Sequence, residues 1–282
     1  MEGRPRMGIT VTNLSDAIGA EVSGVELSRP LDEATVADIR RAWLDNVILV
    51  FRDQQVSDDD QERFCRYLGE LEVVRSARAA DSAHPSVLLI TNVRDTGRTT
   101  ALEDGEMMFH YDQCYYEHPA MGSTLFAMEV PETGGNTLFA SCYAAYESLN
   151  DAMKRRLEGL RALNYYDYAR DPTVRPKSLN PDAPQWAHPV VRTHPETGRK
   201  ALFVNRLMTI RIEGMAADES DALLEALFER IEDPTHRYEH VWRTGDMVIW
   251  DNRCSVHART YFSPDDRRMM RRVTIRETQP VV

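Results

Sequence analysis

The most constraining feature of the sequence is the His-x-Asp pattern of His110 and Asp112, which lies in an apolar and aromatic stretch. Residues 108–112 have the composition of a β-strand, in which side chains two positions apart point to the same face. The stretch therefore predicts an imidazole and a carboxylate side by side. Fe(II) accepts this pair, and a second histidine completes a set that leaves coordination positions open. The fold must bring that histidine from elsewhere in the chain.

The length and charge of the chain limit the classes of protein to which it can belong. With 282 residues it can bury a sizeable core. Its net charge of -11 argues against non-specific binding of nucleic acid, which needs a basic face. No apolar segment of the signal-peptide kind follows Met1–Arg6, and no apolar run is long enough to span a bilayer. We expect a cytoplasmic protein that binds neither nucleic acid nor membrane.

Many short strands and few helices are indicated along the chain. Continuous apolar runs at Val47–Phe51 and Val87–Ile90 indicate buried strands. The segment Pro131–Asn136 has turn composition and separates two further strands. This pattern is typical of a β-sandwich or jelly roll with flanking helices, so we predict a mainly β fold. We find no linker and expect one domain over residues 1–282.

Two polar segments are candidate lids over a site. Residues 93–106 are rich in Thr, Asp and Gly and lead directly into the strand of His110. Residues 169–185 carry several Pro and Asp residues and read as irregular. Long polar loops beside a site often cover it, and we predict that both segments order when substrate binds.

Two histidines, His194 and His257, are considered as the second metal-binding histidine. His194-Pro195-Glu196 repeats the His-x-acid pattern, but its proline and the following Thr-Gly indicate a turn in which two side chains need not share a face. His257 follows a buried strand and a polar turn late in the chain. A ligand on a distant strand of a closed sheet has this kind of position, so His257 is the better candidate.

Arg268 and Arg272 fall on one face of a strand predicted near the end of the chain, with Met270 and Thr274. Two arginines on one face of a core strand are costly unless anions pair with them. A dicarboxylate cosubstrate and an anionic substrate would each supply one anion. The alternative is an edge strand with both arginines in solvent.

Together these motifs resemble the taurine dioxygenase family of Fe(II)- and 2-oxoglutarate-dependent oxygenases, which includes the aryloxyalkanoate dioxygenases. The resemblance runs from Gly19 to Arg272. The motifs occur in the family's order, namely His110-x-Asp112, Gly134-Gly135-Asn136-Thr137, Trp250-Asp251-Asn252-Arg253, His257 and the Arg268/Arg272 pair. The resemblance implies a double-stranded β-helix and a homo-oligomer, either a dimer or a tetramer.

The resemblance also implies a role for each matched side chain. The implied iron ligands are His110, Asp112 and His257. Thr137 and Arg268 match the positions that bind the 2-oxoglutarate carboxylate distal to the metal, and Arg272 matches the position that pairs with the substrate anion. The implied reaction uses O2 to hydroxylate a C–H bond of a small anionic substrate, and 2-oxoglutarate becomes succinate and CO2.

The chain departs from the taurine enzyme before the iron motif. A His and a Tyr contact the sulfonate there, but Leu71–Ala77 contains neither, and Glu106 stands where the taurine enzyme has Asn. A substrate other than taurine is therefore expected, with Glu106, Phe109 and Tyr111 as further contacts. For the two aromatic residues, packing in the barrel core is an equal alternative.

Two other functions remain open from the sequence. A metal-binding, cupin-like protein without oxygenase activity would keep the three ligands but does not need Thr137 and Arg268 together. A structural or interaction protein would use the histidines in its core and would bind no metal.

Overall fold

The computed structural model describes residues 8–74, 83–93, 100–101, 107–166 and 179–282. Strands are the main elements of this part of the chain. In chain order they are β1 (Thr10–Asn13), β2 (Ala20–Ser23), β3 (Ile48–Phe51), β4 (Val87–Thr91), β5 (Thr100–Ala101), β6 (Met107–His110), β7 (Ala120–Glu129), β8 (Thr137–Ser141), β9 (Arg161–Tyr165), β10 (Gln185–Pro189), β11 (Val191–Thr193), β12 (Lys200–Leu202), β13 (Thr209–Ile212), β14 (Arg237–His240), β15 (Met247–Asp251), β16 (Ser255–Arg259) and β17 (Met269–Arg276). The α-helices are α1 (Glu33–Asn46), α2 (Asp58–Arg66), α3 (Cys142–Glu147), α4 (Asp151–Leu157) and α5 (Ala217–Ile231), and a 3-10 turn covers Pro234–His236.

Two sheets form the body of the fold. The larger has the order β1-β2-β3-β15-β7-β17-β4-β5, and the smaller has the order β14-β8-β16-β6. Within the larger sheet β4, β17, β7 and β15 pair with one another in antiparallel fashion, as do β6, β16, β8 and β14 within the smaller. Phe139 of the smaller sheet and Trp250 of the larger meet between them, with ring centroids 5.7 Å apart. The predicted double-stranded β-helix is confirmed.

Helices cover the outer face of the larger sheet. The side chain of Asp32 accepts a hydrogen bond from the backbone N of Thr35 and so begins α1, and Ser57 begins α2 with a capping box. Trp43 of α1 and Phe64 of α2 pack in a core cluster with residues of β2, β3, β7, β15 and β17. β3 is therefore buried on both faces, which explains its continuous apolar run.

The position of β17 decides between the two interpretations of the arginine pair. It lies between β4 and β7, pairs with β4 over Met269–Val273 and with β7 over Met269–Arg276, and begins one residue after Arg268. The alternative of an edge strand with two solvated arginines is wrong, because both edges of β17 are already paired.

One local prediction needs correction. The strand of His110 ends at that residue, and Asp112 lies in the turn that follows. The alternation of side chains along a strand therefore does not reach Asp112.

Most of the two candidate lids lies outside the described residues. Of the first, Val93 and β5 are described, and β5 pairs in parallel with β4. Of the second, residues 179–185 are described. The ordering of these segments and the extent of the domain stay predictions. No helix in the described ranges is long and apolar enough to cross a membrane.

Candidate metal centre and active site

The pairing of β6 with β16 brings two histidines together. His110 and His257 are directly opposite in the register of these strands, and their ring centroids are 4.1 Å apart. The carboxylate of Asp112 joins them from the turn after β6, so that one ligand atom from each residue lies within 4.8 Å of the others. Each of the three residues is at most 9% exposed. The fold thus assembles the predicted set of two histidines and one carboxylate, called the metal set below.

Contacts with the protein leave nitrogen lone pairs of these histidines for a metal. Nδ1 of His110 lies 3.0 Å from the carbonyl oxygen of Met108, which can only accept, so Nδ1 carries the proton and Nε2 keeps its lone pair. Nδ1 of His257 is buried and has no partner among the described residues. Buried polar atoms are normally paired, so this unpaired nitrogen fits a centre that binds another group.

The charge state of the set also fits a divalent cation. Burial lowers the pKa of both imidazoles, and for His257 burial together with the neighbouring His110 lowers the pKa to about 3. Burial opposes ionisation of Asp112, but Arg272 and the two imidazoles outweigh it and hold the pKa of this carboxyl well below its usual range. At neutral pH the set is two neutral imidazoles and one carboxylate, the donors that suit Fe(II).

Three further side chains hold the Asp112 carboxylate. Ser123 donates its hydroxyl to Oδ2 at 2.6 Å, and Arg272 donates Nη1 to Oδ1 at 3.1 Å. Nδ2 of Asn252 lies 3.5 Å from Oδ2, and its Oδ1 accepts from the backbone N of Asp112 at 3.3 Å. Sequence reasoning missed the contacts of Ser123 and Asn252. Asn252 stands in the Trp-Asp-Asn-Arg motif, but nothing in the sequence marks Ser123.

The Ser123 contact leads to a test of metal binding. We expect Ser123→Ala to weaken Fe(II) affinity roughly 10- to 100-fold, because outer partners of a metal ligand orient it and have effects of this size. The matched control is Ser220→Ala, since Ser220 is equally buried but accepts from the backbone N of Ile212 instead. Equilibrium titration of both metal-free variants with Fe(II) measures the effect. Equal Fe(II) affinities for the two variants would contradict the proposed contribution of Ser123.

A cavity beside the metal set contains the second group of predicted residues. It is lined by Ile90, His110, Leu125, Thr137, Trp250, His257, Ala258, Arg259, Arg268 and Arg272. Arg268 is 3% exposed, and no carboxylate of the described residues pairs with it. Burial, with the nearby Arg259, lowers its pKa to about 9. A buried guanidinium without an acid is costly, so the cavity is built to receive an anion.

The Gly-Gly turn lets Arg268 reach this position. Its Nε donates to the carbonyl oxygen of Gly135 at 3.2 Å. A Cβ added to Gly135, which has a φ of +64°, would lie 3.2 Å from both Cδ and Nε of Arg268. Glycine is therefore favoured here by its backbone conformation, and a larger residue would press against the arginine.

Of the predicted substrate contacts that the structure describes, one lines the cavity and two lie in the core. Arg272 lines the cavity and is paired with Asp112. Tyr111 is fully buried elsewhere, where its hydroxyl donates to the carbonyl oxygen of Leu202 and lies 2.9 Å from Sγ of Cys142. Phe109 packs in the core with the guanidinium of Arg237 5.3 Å from its ring. Of the two alternatives for these aromatic residues, their burial in the core cluster favours core packing, and Glu106 lies outside the described residues.

His194, the histidine of the second His-x-acid pattern, also belongs to a compact group of possible metal ligands, but both of its ring nitrogens are already hydrogen-bonded. His194, Asp251 and Cys254 offer ligand atoms within 4.8 Å of one another. However, Nε2 of His194 bonds to Asp251 at 3.1 Å, and its Nδ1 accepts from the backbone N of Thr197 at 3.1 Å. Nδ1 stabilises the turn and Nε2 joins it to the end of β15, as expected for a structural histidine.

Comparisons with known proteins agree with this arrangement. Residues 10–274 match the family model described as "Taurine catabolism dioxygenase TauD, TfdA family". Pentalenolactone F synthase of Streptomyces avermitilis is 33% identical over 276 residues, which cover 91% of this chain and 90% of that protein. The (S)-phenoxypropionate/alpha-ketoglutarate-dioxygenase of Sphingobium herbicidovorans is 34% identical, with 92% of each chain covered.

A solved structure agrees as well. The crystal structure of a putative alpha-ketoglutarate-dependent taurine dioxygenase from Burkholderia xenovorans superposes with a TM-score of 0.84 at 30% identity, covering 98% of this chain and 91% of that one. The matched range, residues 10–274, contains the positions of His110, Asp112 and His257. This chain belongs to the TauD/TfdA family of dioxygenases.

Proposed function

We propose that this chain hydroxylates a C–H bond of a small organic anion, with His110, Asp112 and His257 as the iron ligands. Family membership supplies the reaction class, since the chain is an Fe(II)- and 2-oxoglutarate-dependent dioxygenase. The observation that carries the assignment is the buried Arg268, which has no carboxylate partner in the described residues and shares a cavity with the three ligands. That combination suits a metal and a carboxylate bound side by side.

The chain's own residues bind and orient the reactants. Thr137 and Arg268 hold the distal carboxylate of 2-oxoglutarate by a hydroxyl and a guanidinium, which are donors matched to a carboxylate. When bound, Fe(II) supplies the O2 chemistry that couples decarboxylation of 2-oxoglutarate to hydroxylation of the substrate. One oxygen atom of O2 enters succinate and the other enters the hydroxylated product. The contribution of the protein to rate and selectivity is to hold one C–H bond at a fixed position beside the metal.

Arg272 supports an anionic substrate. Its Nη1 pairs with Asp112, whereas its Nε is buried without a partner in the described ranges. The side chain is 21% exposed, so it can meet a ligand that enters from outside. A carboxylate on the substrate matches this group, and the relative from Sphingobium is named for such a substrate, phenoxypropionate.

The test is succinate release from Fe(II), 2-oxoglutarate and O2 with a panel of aryloxyalkanoates, sulfonates, alkyl sulfates, phosphonates and amino acids. We expect at least one anionic compound to raise succinate several-fold above the background without substrate. If succinate release without substrate depends on iron and 2-oxoglutarate but no compound stimulates it, the reaction class stands and the substrate is not in the panel. If metal-loaded protein shows neither this background release nor any stimulation, the proposal is overturned.

Replacement of Arg272 separates substrate binding from cosubstrate binding. We expect Arg272→Gln to raise the KM for the anionic substrate roughly 10- to 100-fold, because a hydrogen bond to a charged group contributes about 1.5–3 kcal/mol. The uncoupled background and the KM for the cosubstrate should change far less. The control is Arg276→Gln on the same strand, which lies on the exposed end of β17. An unchanged substrate KM in Arg272→Gln would contradict the assignment.

The competing function is a metal-binding, cupin-like protein without oxygenase activity. Such a protein has no use for the Thr137 and Arg268 pair, and it would bind Fe(II) without forming the coloured anaerobic complex with 2-oxoglutarate. Assembly into a dimer or tetramer and a cytoplasmic location stay predictions, which gel filtration and fractionation of cells can test.

A further inference from the structure

Trp242 touches the proposed 2-oxoglutarate site through Thr137. Its indole Nε1 donates to the hydroxyl oxygen of Thr137 at 2.9 Å, and both side chains are at most 6% exposed. Thr137 lines the cavity, but Trp242 is not among its lining residues. No sequence motif marks Trp242, which follows β14.

This hydrogen bond restricts what the Thr137 hydroxyl can do. A hydroxyl has one proton to donate and two lone pairs, whereas an indole nitrogen can only donate. The bond from Trp242 therefore occupies a lone pair of Oγ1 and leaves the hydroxyl proton for another partner. Within the described residues it is the one hydrogen bond at this oxygen. The proton is thus available to an acceptor in the cavity, which Arg268 also faces.

The indole is itself held in a fixed position. Its ring meets that of His240 edge to face, with centroids 4.4 Å apart and an interplanar angle of 85°. Nε2 of His240 lies 3.1 Å from the Asp246 carboxylate, and Nδ1 lies 3.0 Å from the hydroxyl of Tyr238. Because a carboxylate only accepts, Nε2 carries the proton and Nδ1 accepts from Tyr238. The position of Trp242 is therefore determined by a buried network and not by the ligand.

We propose that Trp242 is a positioning residue for 2-oxoglutarate, which fixes the Thr137 hydroxyl as a donor to the distal carboxylate. The inference rests on the proposed assignment of Thr137 and Arg268 to that carboxylate. A hydroxyl oriented before binding spends no free energy on reorientation when the ligand arrives. Removal of Trp242 should consequently weaken 2-oxoglutarate binding and leave the metal set intact.

The experiment is a double-mutant cycle on anaerobic Fe(II)-loaded protein, with Trp242→Phe and Thr137→Val made singly and together. The dissociation constant for 2-oxoglutarate is measured from the charge-transfer absorption of the complex, and Fe(II) affinity and melting temperature are measured in parallel. We expect Trp242→Phe to weaken 2-oxoglutarate binding roughly three- to tenfold and Thr137→Val at least as much. In the Thr137→Val background, Trp242→Phe should add no further loss. Fe(II) affinity should stay constant.

Two controls separate positioning from general packing. Trp186→Phe removes an indole N–H from a side chain that is 39% exposed on β10, and should leave 2-oxoglutarate binding unchanged. Replacement of Trp242 by benzothienylalanine keeps the shape of the indole but lacks its N–H donor. This analogue should reproduce the loss seen with Trp242→Phe, and it replaces that variant if the smaller ring impairs folding.

The outcomes distinguish failure of the inference from failure of the proposed function. If Thr137→Val leaves the dissociation constant for 2-oxoglutarate unchanged, the assignment of Thr137 fails and the inference falls with it. If Thr137→Val weakens binding while Trp242→Phe or the benzothienyl analogue has no effect, the inference is overturned and the assignment stands. The inference is also overturned if Trp242→Phe causes the same loss in both backgrounds.

Discussion

Asp112→Ala is expected to abolish succinate formation. The carboxylate is the one anionic donor of the metal set, and its loss leaves two neutral imidazoles beside Arg272. Fe(II) affinity should fall more than about 100-fold, because even outer partners of a metal ligand account for 10- to 100-fold. Succinate release is measured at saturating 2-oxoglutarate, and metal content is measured after equilibration with Fe(II).

A matched variant and a stability measurement make this result specific. Asp45→Ala removes an exposed carboxylate near the end of α1 and should leave both metal content and succinate release unchanged. Thermal unfolding of Asp112→Ala checks that the fold persists, since Arg272 loses its ion-pair partner in this variant. Sustained succinate release by folded Asp112→Ala would show that Asp112 is not a required iron ligand.

The second large effect is expected for Arg268→Gln. This change removes the buried charge that is proposed to bind the distal carboxylate, while glutamine can still donate to Gly135. The KM for the cosubstrate should rise roughly 10- to 100-fold, because hydrogen bonds to charged groups contribute about 1.5–3 kcal/mol. Steady-state kinetics with varied 2-oxoglutarate measures this.

Although Arg268→Gln should weaken cosubstrate binding, it should not lower the melting temperature of the ligand-free protein. A buried cation without an acid is costly in the ligand-free protein, so Arg268→Gln should melt at the same temperature as the parent or higher. The control is the neighbouring Arg267→Gln, because Arg267 is 62% exposed and pairs with Glu129 on the surface. An unchanged cosubstrate KM in Arg268→Gln, or an equal rise in Arg267→Gln, would contradict the role of Arg268.

Local chemistry made the principal residues predictable. His110 and His257 each stand in a strand with apolar neighbours, where an imidazole is conspicuous, and Arg268 and Arg272 stand four apart, just before and within β17. Such residues are costly in a core without a partner, so their presence indicates a ligand. The resemblance then supplied the pairing of the two histidines, which spacing alone does not determine.

Contacts between distant strands were beyond prediction. The aromatic composition around His110 does not indicate which side chains face the cavity, so substrate contact and core packing stayed equal alternatives for Tyr111, whose hydroxyl contacts Leu202 and Cys142. Ser123 reaches Asp112 only because β7 passes close to the turn after β6, and serine occurs in strands for many reasons. Trp242 and Thr137 are 105 positions apart, so their hydrogen bond follows from the β-helix and not from any motif.

The most direct test of the central claim is an anomalous-diffraction structure at the iron edge, from crystals soaked without oxygen in Fe(II) and 2-oxoglutarate. We predict a single strong iron peak bounded by the side chains of His110, Asp112 and His257, with the distal carboxylate of 2-oxoglutarate at Thr137 and Arg268. Two other groups in the described residues also offer ligand atoms within 4.8 Å, namely His194/Asp251/Cys254 and Asp59/Glu62/His84. An iron peak at either of these groups alone, or no peak in protein that contains stoichiometric iron in solution, would contradict the account.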